Sequence, residues 1–146
     1  MVQKKYTDKQ RRARIQPLLD YWTEHMGVRG NWLLSWQLTS NLSDDGGVIA
    51  RTYTASPYRK AFIRFDRKVL DSVTQAELED TVVHELTHVI TEELHSAIAR
   101  YFGTNSFLYT EMTNPIEAVC DHLAAILVSM RYGKTRITYD QKVPIG

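Results

Sequence analysis

Thr74-Gln-Ala-Glu-Leu-Glu-Asp-Thr-Val-Val-His-Glu-Leu-Thr-His-Val-Ile90 is the stretch on which the reading of this chain turns. Thr74 and Glu77 make a Ser/Thr-x-x-Glu capping box at its start, and Leu78, Val82, Leu86, Val89 and Ile90 then recur at helical period. At about 100° per residue those five occupy a sector roughly 120° wide, and His84 and His88 fall outside it, one turn apart. Two imidazoles so placed can point at one metal ion, while Glu85 between them can reach a water on that ion. A histidine packed into a core belongs on the apolar side, and an incidental surface pair needs no partners, so the test of a metal site is whether a third ligand exists elsewhere. A catalytic zinc normally takes three protein ligands and a water, and the third must come from elsewhere in the chain.

His95 shares the angular sector of the other two but fails on distance. Seven residues beyond His88, it lies about 10 Å further along an unbroken helix, whereas a zinc ligand sits about 2 Å from its metal. The metzincin arrangement needs a glycine turn and a histidine six residues after the second ligand; that position is Leu94 and no glycine intervenes. The better candidate is Glu117, in Asn114-Pro-Ile-Glu-Ala-Val-Cys-Asp121. Asn114 followed by Pro115 reads as an N-cap with proline at the first helical position, and a helix then runs to about Met130. Glutamate at the third position of such a helix is ordinary capping chemistry, but Asp121 follows on the same face. Val119, Cys120, Leu123, Ala124, Ala125, Ile126, Leu127 and Val128 surround the two carboxylates, which predicts a helix buried on nearly every side. Buried carboxylates need a cation or hydrogen-bond donors. Glu117 as a ligand, with Asp121 accepting the distal N–H of a ligating histidine, meets that need.

The rest of the chain supplies the scaffold. From Thr7 or Asp8 to Met26, Ile15, Leu18, Leu19 and Trp22 recur at helical spacing, with Pro17 as a start or a bend of that helix and Gly27 and Gly30 as stops. Trp32, Leu34, Trp36 and Leu38 alternate with polar or exposed positions as a half-buried strand. Residues Asn41 to Gly47 break it; their opening resembles a calcium loop, but the twelfth position is Thr52 rather than Glu, so the segment reads as a turn. Val48 to Thr54 and Lys60 to Asp66 read as two further strands of a small antiparallel or mixed sheet. A loop is expected from about residue 100 to 113, as a lid or an inhibitory plug, and a polar tail follows Gly133.

Composition narrows the function classes. With 146 residues and 43% hydrophobic content, the chain predicts one domain over 1–146. Lys and Arg number 18 against 17 Asp and Glu, so no broad electrostatic case for nucleic acid exists. Lys9, Arg11, Arg12 and Arg14 read as a solvated helix face, with docking of DNA or a partner the minor reading. No secretory h-region and no membrane-length apolar run is present, which predicts a soluble cytoplasmic protein without a membrane partner. The lone Cys120 excludes an internal disulfide and a four-cysteine zinc site, and its apolar neighbours predict an inert buried thiol. His122, directed about 100° from Asp121, is a weak ligand candidate.

The pair His84-Glu-Leu-Thr-His88 and Glu117-Ala-Val-Cys-Asp121 resembles the gluzincin metallopeptidases, whose helix-borne HExxH is followed by a second helix carrying an ExxxD motif. The resemblance covers about residues 60 to 130. Small single-domain members, phage-type or repressor-cleaving peptidases of the ImmA kind, are nearest in size. It implies an α+β, zincin-like fold: a small sheet packed on an active-site helix, an N-terminal helix and a C-terminal ligand-bearing helix. It further implies one Zn²⁺ per chain on His84, His88 and Glu117, Glu85 as general base, and Asp121 behind a ligating histidine. In the family an edge strand before the active-site helix pairs with extended substrate, and Lys60 to Asp66 resembles it. The activity so implied is that of a zinc-dependent endopeptidase acting on a protein or peptide, with Tyr109, Tyr101 and His95 as open candidates for oxyanion or substrate contacts. Two alternatives stand beside it: a non-peptidolytic zinc module that docks a partner protein, and a DNA-associated protease recruited by the basic first helix. Oligomeric state is not read from the sequence.

Overall fold

Thr7 and Gln10 form a reciprocal capping box, and from it α1 runs over Asp8–His25 straight through Pro17. The computed structural model describes residues 5–43 and 46–133; the first four residues, Asp44-Asp45 of the turn and the polar tail beyond Gly133 lie outside it. Ile15, Leu18, Leu19 and Trp22 of α1 are buried, as their spacing predicts.

Three strands make one mixed sheet in the order β1-β3-β2. β1 (Leu33–Thr39) runs parallel to β3 (Lys60–Asp66), and β2 (Ala50–Ala55) runs antiparallel to it. A single 3-10 turn at Ser56–Tyr58 joins β2 to β3, with Arg59 at a φ of 48° completing the reversal. Lys60 to Asp66 is therefore the central strand and not an edge. Ala61, Ile63 and Phe65 on its inner side are almost fully buried, which is what a strand paired on both flanks and covered by helices requires. The open edge nearest the histidine helix belongs to β2; among the described residues no strand pairs with its outer side.

Asp66 caps the short α2 (Arg67–Leu70), accepting from the backbone N–H groups of Lys68 and Val69. Thr74 and Glu77 then form the expected capping box, and α3 extends over Gln75–Phe102. The predicted loop of residues 100 to 113 shrinks to Gly103–Ser106. α4 covers Phe107–Tyr132 with Ser106 as its cap, so Asn114 is not an N-cap and Pro115 sits inside the helix. Interior proline costs a helical hydrogen bond, on the order of 3 kcal/mol. The turns before it hold because the Ser106 hydroxyl takes the Tyr109 N–H, and because Tyr109 and Ile116 pack with Ile98 and Cys120 in a small second core.

The main core joins Ile15, Leu18 and Trp22 of α1, Leu38, Ile63 and Phe65 of the sheet, Leu78, Val82, Leu86 and Val89 of α3, and Ala124 and Val128 of α4. Each large side chain withdrawn this far from water contributes about 1.5–3 kcal/mol. Glu79, an acid on the core side of α3, is 2% exposed. Its carboxylate accepts from Trp22 Nε1 at 2.8 Å, Arg131 Nη1 at 2.5 Å and the Tyr132 hydroxyl at 2.5 Å, tying α1, α3 and α4 at one point.

Two expectations about the helices fail for one reason. Ile90 belongs by angle to the core stripe but is half exposed, and α4, expected to be apolar and buried on nearly every side, buries only Ile116, Cys120, Ala124 and Val128. Three short strands and α1 cover the first half of α3; nothing among the described residues covers the outer flank of the α3–α4 pair. The basic face of α1 is likewise not simply solvated. Arg11 is buried and bidentate to Asp71, at 2.9 and 2.7 Å, and Arg14 donates to the carbonyls of Leu70 and Val73. Arg12 lies over the Trp36 ring. Among the described residues no helix is long and apolar enough to cross a membrane.

Candidate metal centre

One turn of α3 presents His84 and His88 side by side, and α4, lying against α3, brings Glu117 across from them. The two Nε2 atoms are 2.9 Å apart. Glu117 Oε1 lies 3.0 Å from His84 Nε2, and its Oε2 lies 3.1 Å from His88 Nε2. These three residues form the group whose ligand atoms all lie within 4.8 Å of one another. Separations near 3 Å are close to the edges of a tetrahedron of ligands about 2 Å from a central ion.

Protonation makes the same point. Asp121 Oδ1 is 2.8 Å from His84 Nδ1, so Nδ1 carries a proton and donates it to the carboxylate. In the neutral imidazole that tautomer presents the Nε2 lone pair on the side of Glu117. Two imidazole nitrogens and a carboxylate converging at about 3 Å are a donor set that suits a divalent metal. Burial lowers the His88 pKa, which keeps its imidazole in the neutral, ligating form, although Glu117 pulls the other way. His88 Nδ1 has Cys120 Sγ 3.8 Å away. Burial pushes the Cys120 thiol up, in keeping with an inert side chain.

Glu117 and Asp121 are not buried: they are 58% and 73% exposed. The case for them as metal partners therefore rests on where their oxygens converge and not on the cost of burial. Glu85 is the carboxylate that burial perturbs, at 7% exposed. Loss of water raises its pKa above the usual 4.5, against the opposing pull of Thr52 and His84. The Thr52 hydroxyl donates to Glu85 Oε2 at 2.5 Å and contacts the Glu85 carbonyl oxygen at 3.2 Å. Thr52 is a site residue the sequence did not single out. Its signal was confined to strand alternation, which puts Thr52 and Thr54 on the inner face of β2; its partner on α3 is a tertiary fact.

Cavities of about 440 and 380 Å³ open on either side of the His84-Glu85 step. The first is bounded by Ile49, Asp80, Asp121 and Ala125, and the second by Val48 and the β2 residues Ala50, Thr52 and Thr54 together with His88, Glu92 and His95. His95 faces the second cavity, and its Nε2 is 2.6 Å from the Tyr109 hydroxyl. Tyr101 is 85% exposed and lines neither cavity, so of the three open candidates the fold brings two together and leaves one out. His122 is exposed on α4 and lies outside the His84, His88 and Glu117 group. Comparison with protein-family models, with curated proteins and with solved structures finds no match to this chain.

Proposed function

We propose that this chain is a zinc-dependent endopeptidase of gluzincin type, with a zincin-like fold and one Zn²⁺ held by His84, His88 and Glu117. The observation that carries the reading is the convergence of those three ligands beside a buried carboxylate, Glu85, at the meeting of two cavities. Bound zinc supplies a water with pKa near 7 and polarises a carbonyl group.

The chain's own residues supply the remainder. Glu85 takes a proton from the attacking water and returns it to the leaving amine. Its raised pKa moves it toward the range in which a carboxylate both accepts and releases a proton near neutrality. Thr52 holds one oxygen of Glu85 and so fixes the rotamer of the base. Asp121 keeps the His84 proton on Nδ1 and leaves Nε2 free for the metal. His95 lines the cleft and, held by its hydrogen bond to Tyr109, is placed to contact a bound peptide. The open edge of β2, which lines the same cleft, offers backbone groups to an extended peptide.

A closed structural zinc site needs four protein ligands, and the group found among the described residues has three, which favours the catalytic reading over a docking module. The DNA-recruited alternative loses its support where Arg11 and Arg14 are spent inside the fold. The test is hydrolysis of a mixed peptide library by the zinc-loaded protein, compared with Glu85→Gln. Glu85→Gln is expected to hold zinc at wild-type stoichiometry and to lose turnover. Cleavage by Glu85→Gln at the wild-type rate removes Glu85 from the mechanism.

A further inference from the structure

The flank of the α3–α4 pair that faces away from His84 and His88 carries a second kind of order. On α4, Met112, Ile116, Val119, Leu123, Ile126 and Met130 are spaced alternately by four and three residues, a heptad seam three repeats long. Ile116 also closes the small second core, but the other five remain between 38% and 73% exposed. The contact between Thr91 and Cys120 sets the level of α3 against α4, and it brings Ile90 and Leu94, 52% and 57% exposed, alongside the middle of the seam. Helical phase puts all of these on one side: Glu117 and Asp121 lie toward the metal centre and the seam lies on the opposite flank.

We propose that this flank pairs two copies of the chain, α4 against α4, about a two-fold axis. Three observations select a second copy as the occupant. The first is area: the seven exposed side chains present on the order of 600 Å² of apolar surface, at the upper limit of the largest patch on an ordinary monomer. That is most of the roughly 800 Å² that each partner buries in a standard interface. The second is self-complementarity. In an antiparallel pairing centred near residue 121, Val119 meets Leu123 of the second copy, Ile116 meets Ile126 and Met112 meets Met130, so every layer of the seam is apolar against apolar. The third is charge. Pro115, His122 and Ser129, on the open side of the seam, include no Lys, Arg, Asp or Glu. Flanking charges are what coiled coils use to refuse their own copies or to select a foreign helix, and those three positions carry none. Because the seam lies opposite the metal centre, pairing leaves both clefts open.

Sedimentation equilibrium on the full zinc-loaded chain, from micromolar to millimolar concentration, tests the proposal. The wild type is expected to approach the mass of two chains as concentration rises. Leu123→Glu is expected to weaken the dimer by at least tenfold with helix content and zinc stoichiometry unchanged. Met130→Glu, at the most exposed position of the seam, is expected to weaken it in the same direction and serves if Leu123→Glu fails to fold. A mass of one chain throughout the range overturns the proposal, as does a dimer that neither charge weakens.

Discussion

Glu117→Ala removes the one proposed metal ligand that comes from α4 and touches none of the buried core, since Glu117 is more than half exposed. The folded chain without metal is therefore expected to keep its stability within about 0.5 kcal/mol, as surface substitutions do. Zinc binding changes far more. Structural zinc sites bind with about 10–16 kcal/mol spread over four ligands, so one ligand accounts for about 3 kcal/mol, equivalent to at least a hundredfold in affinity. Asp121→Asn tests the neighbouring contact on a different scale. It leaves the three ligands and loses only the carboxylate that orients His84 Nδ1, for which a loss of about 10- to 100-fold is expected. The assay is competition with a chromophoric chelator at fixed pH, with metal analysis of the purified proteins and circular dichroism to verify the fold. Zinc near one per chain with undiminished affinity in Glu117→Ala refutes the third ligand and the gluzincin reading with it. A larger loss in Asp121→Asn than in Glu117→Ala reverses the roles given to the two carboxylates.

The raised pKa of Glu85 has a stability consequence in the metal-free protein. Folding there takes up a proton that the unfolded chain has lost above its usual pKa of 4.5, so stability falls as pH rises through that window and stays reduced above it. Glu85→Gln removes this cost of burying a charge, and thermal melts are expected to place the metal-free variant above the metal-free wild type at pH 7 but not at pH 4. Burial of neutral His88 acts at the other boundary: the unfolded chain binds the extra proton, so metal-free stability is expected to drop as pH falls through 6.5, and His88→Phe flattens that slope in a urea series. Glu79→Ala breaks three hydrogen bonds to a buried carboxylate and is expected to cost about 3–5 kcal/mol in urea unfolding; a loss under about 1 kcal/mol would show that the α1–α3–α4 junction does not depend on it. Ser106→Ala is expected to cost about 1 kcal/mol as the loss of the α4 cap, while Asn114→Ala, inside the helix, costs nothing; the reverse order would return the start of α4 to Asn114.

Much of the scaffold follows from local rules. The capping boxes at Thr7 and Thr74 are both present, because a cap involves only residues three apart and depends on little else. Alternation put Trp32, Leu34, Trp36 and Leu38 on one side of the strand for a similar reason, and of these Leu38 is buried while the other three pack partly buried against the core. Local rules misplaced the start of α4. Asn114-Pro115 carries the usual signature of a helix start, but Ser106, eight residues earlier, is also a competent cap, and packing of Tyr109 and Ile116 on Ile98 decided between them. They misjudged Arg11 as well: a basic helix face looks solvated until Asp71, sixty residues away, arrives beside it.

By itself the sequence pointed to the kind of chemistry to look for, since a spacing of four residues puts His84 and His88 on one face of one helix with Glu85 beside them, and puts Glu117 and Asp121 on one face of another. Only the tertiary structure decided how those two helices meet. It closed His84, His88 and Glu117 to about 3 Å, set Thr52 of β2 on Glu85, and exchanged the expected edge strand β3 for β2. It also left one flank of α3 and α4 bare. The physical reason is range: caps and helical faces are fixed by neighbours within a turn, whereas ligand convergence, strand order and which apolar face goes uncovered depend on contacts between residues about 30 or more positions apart.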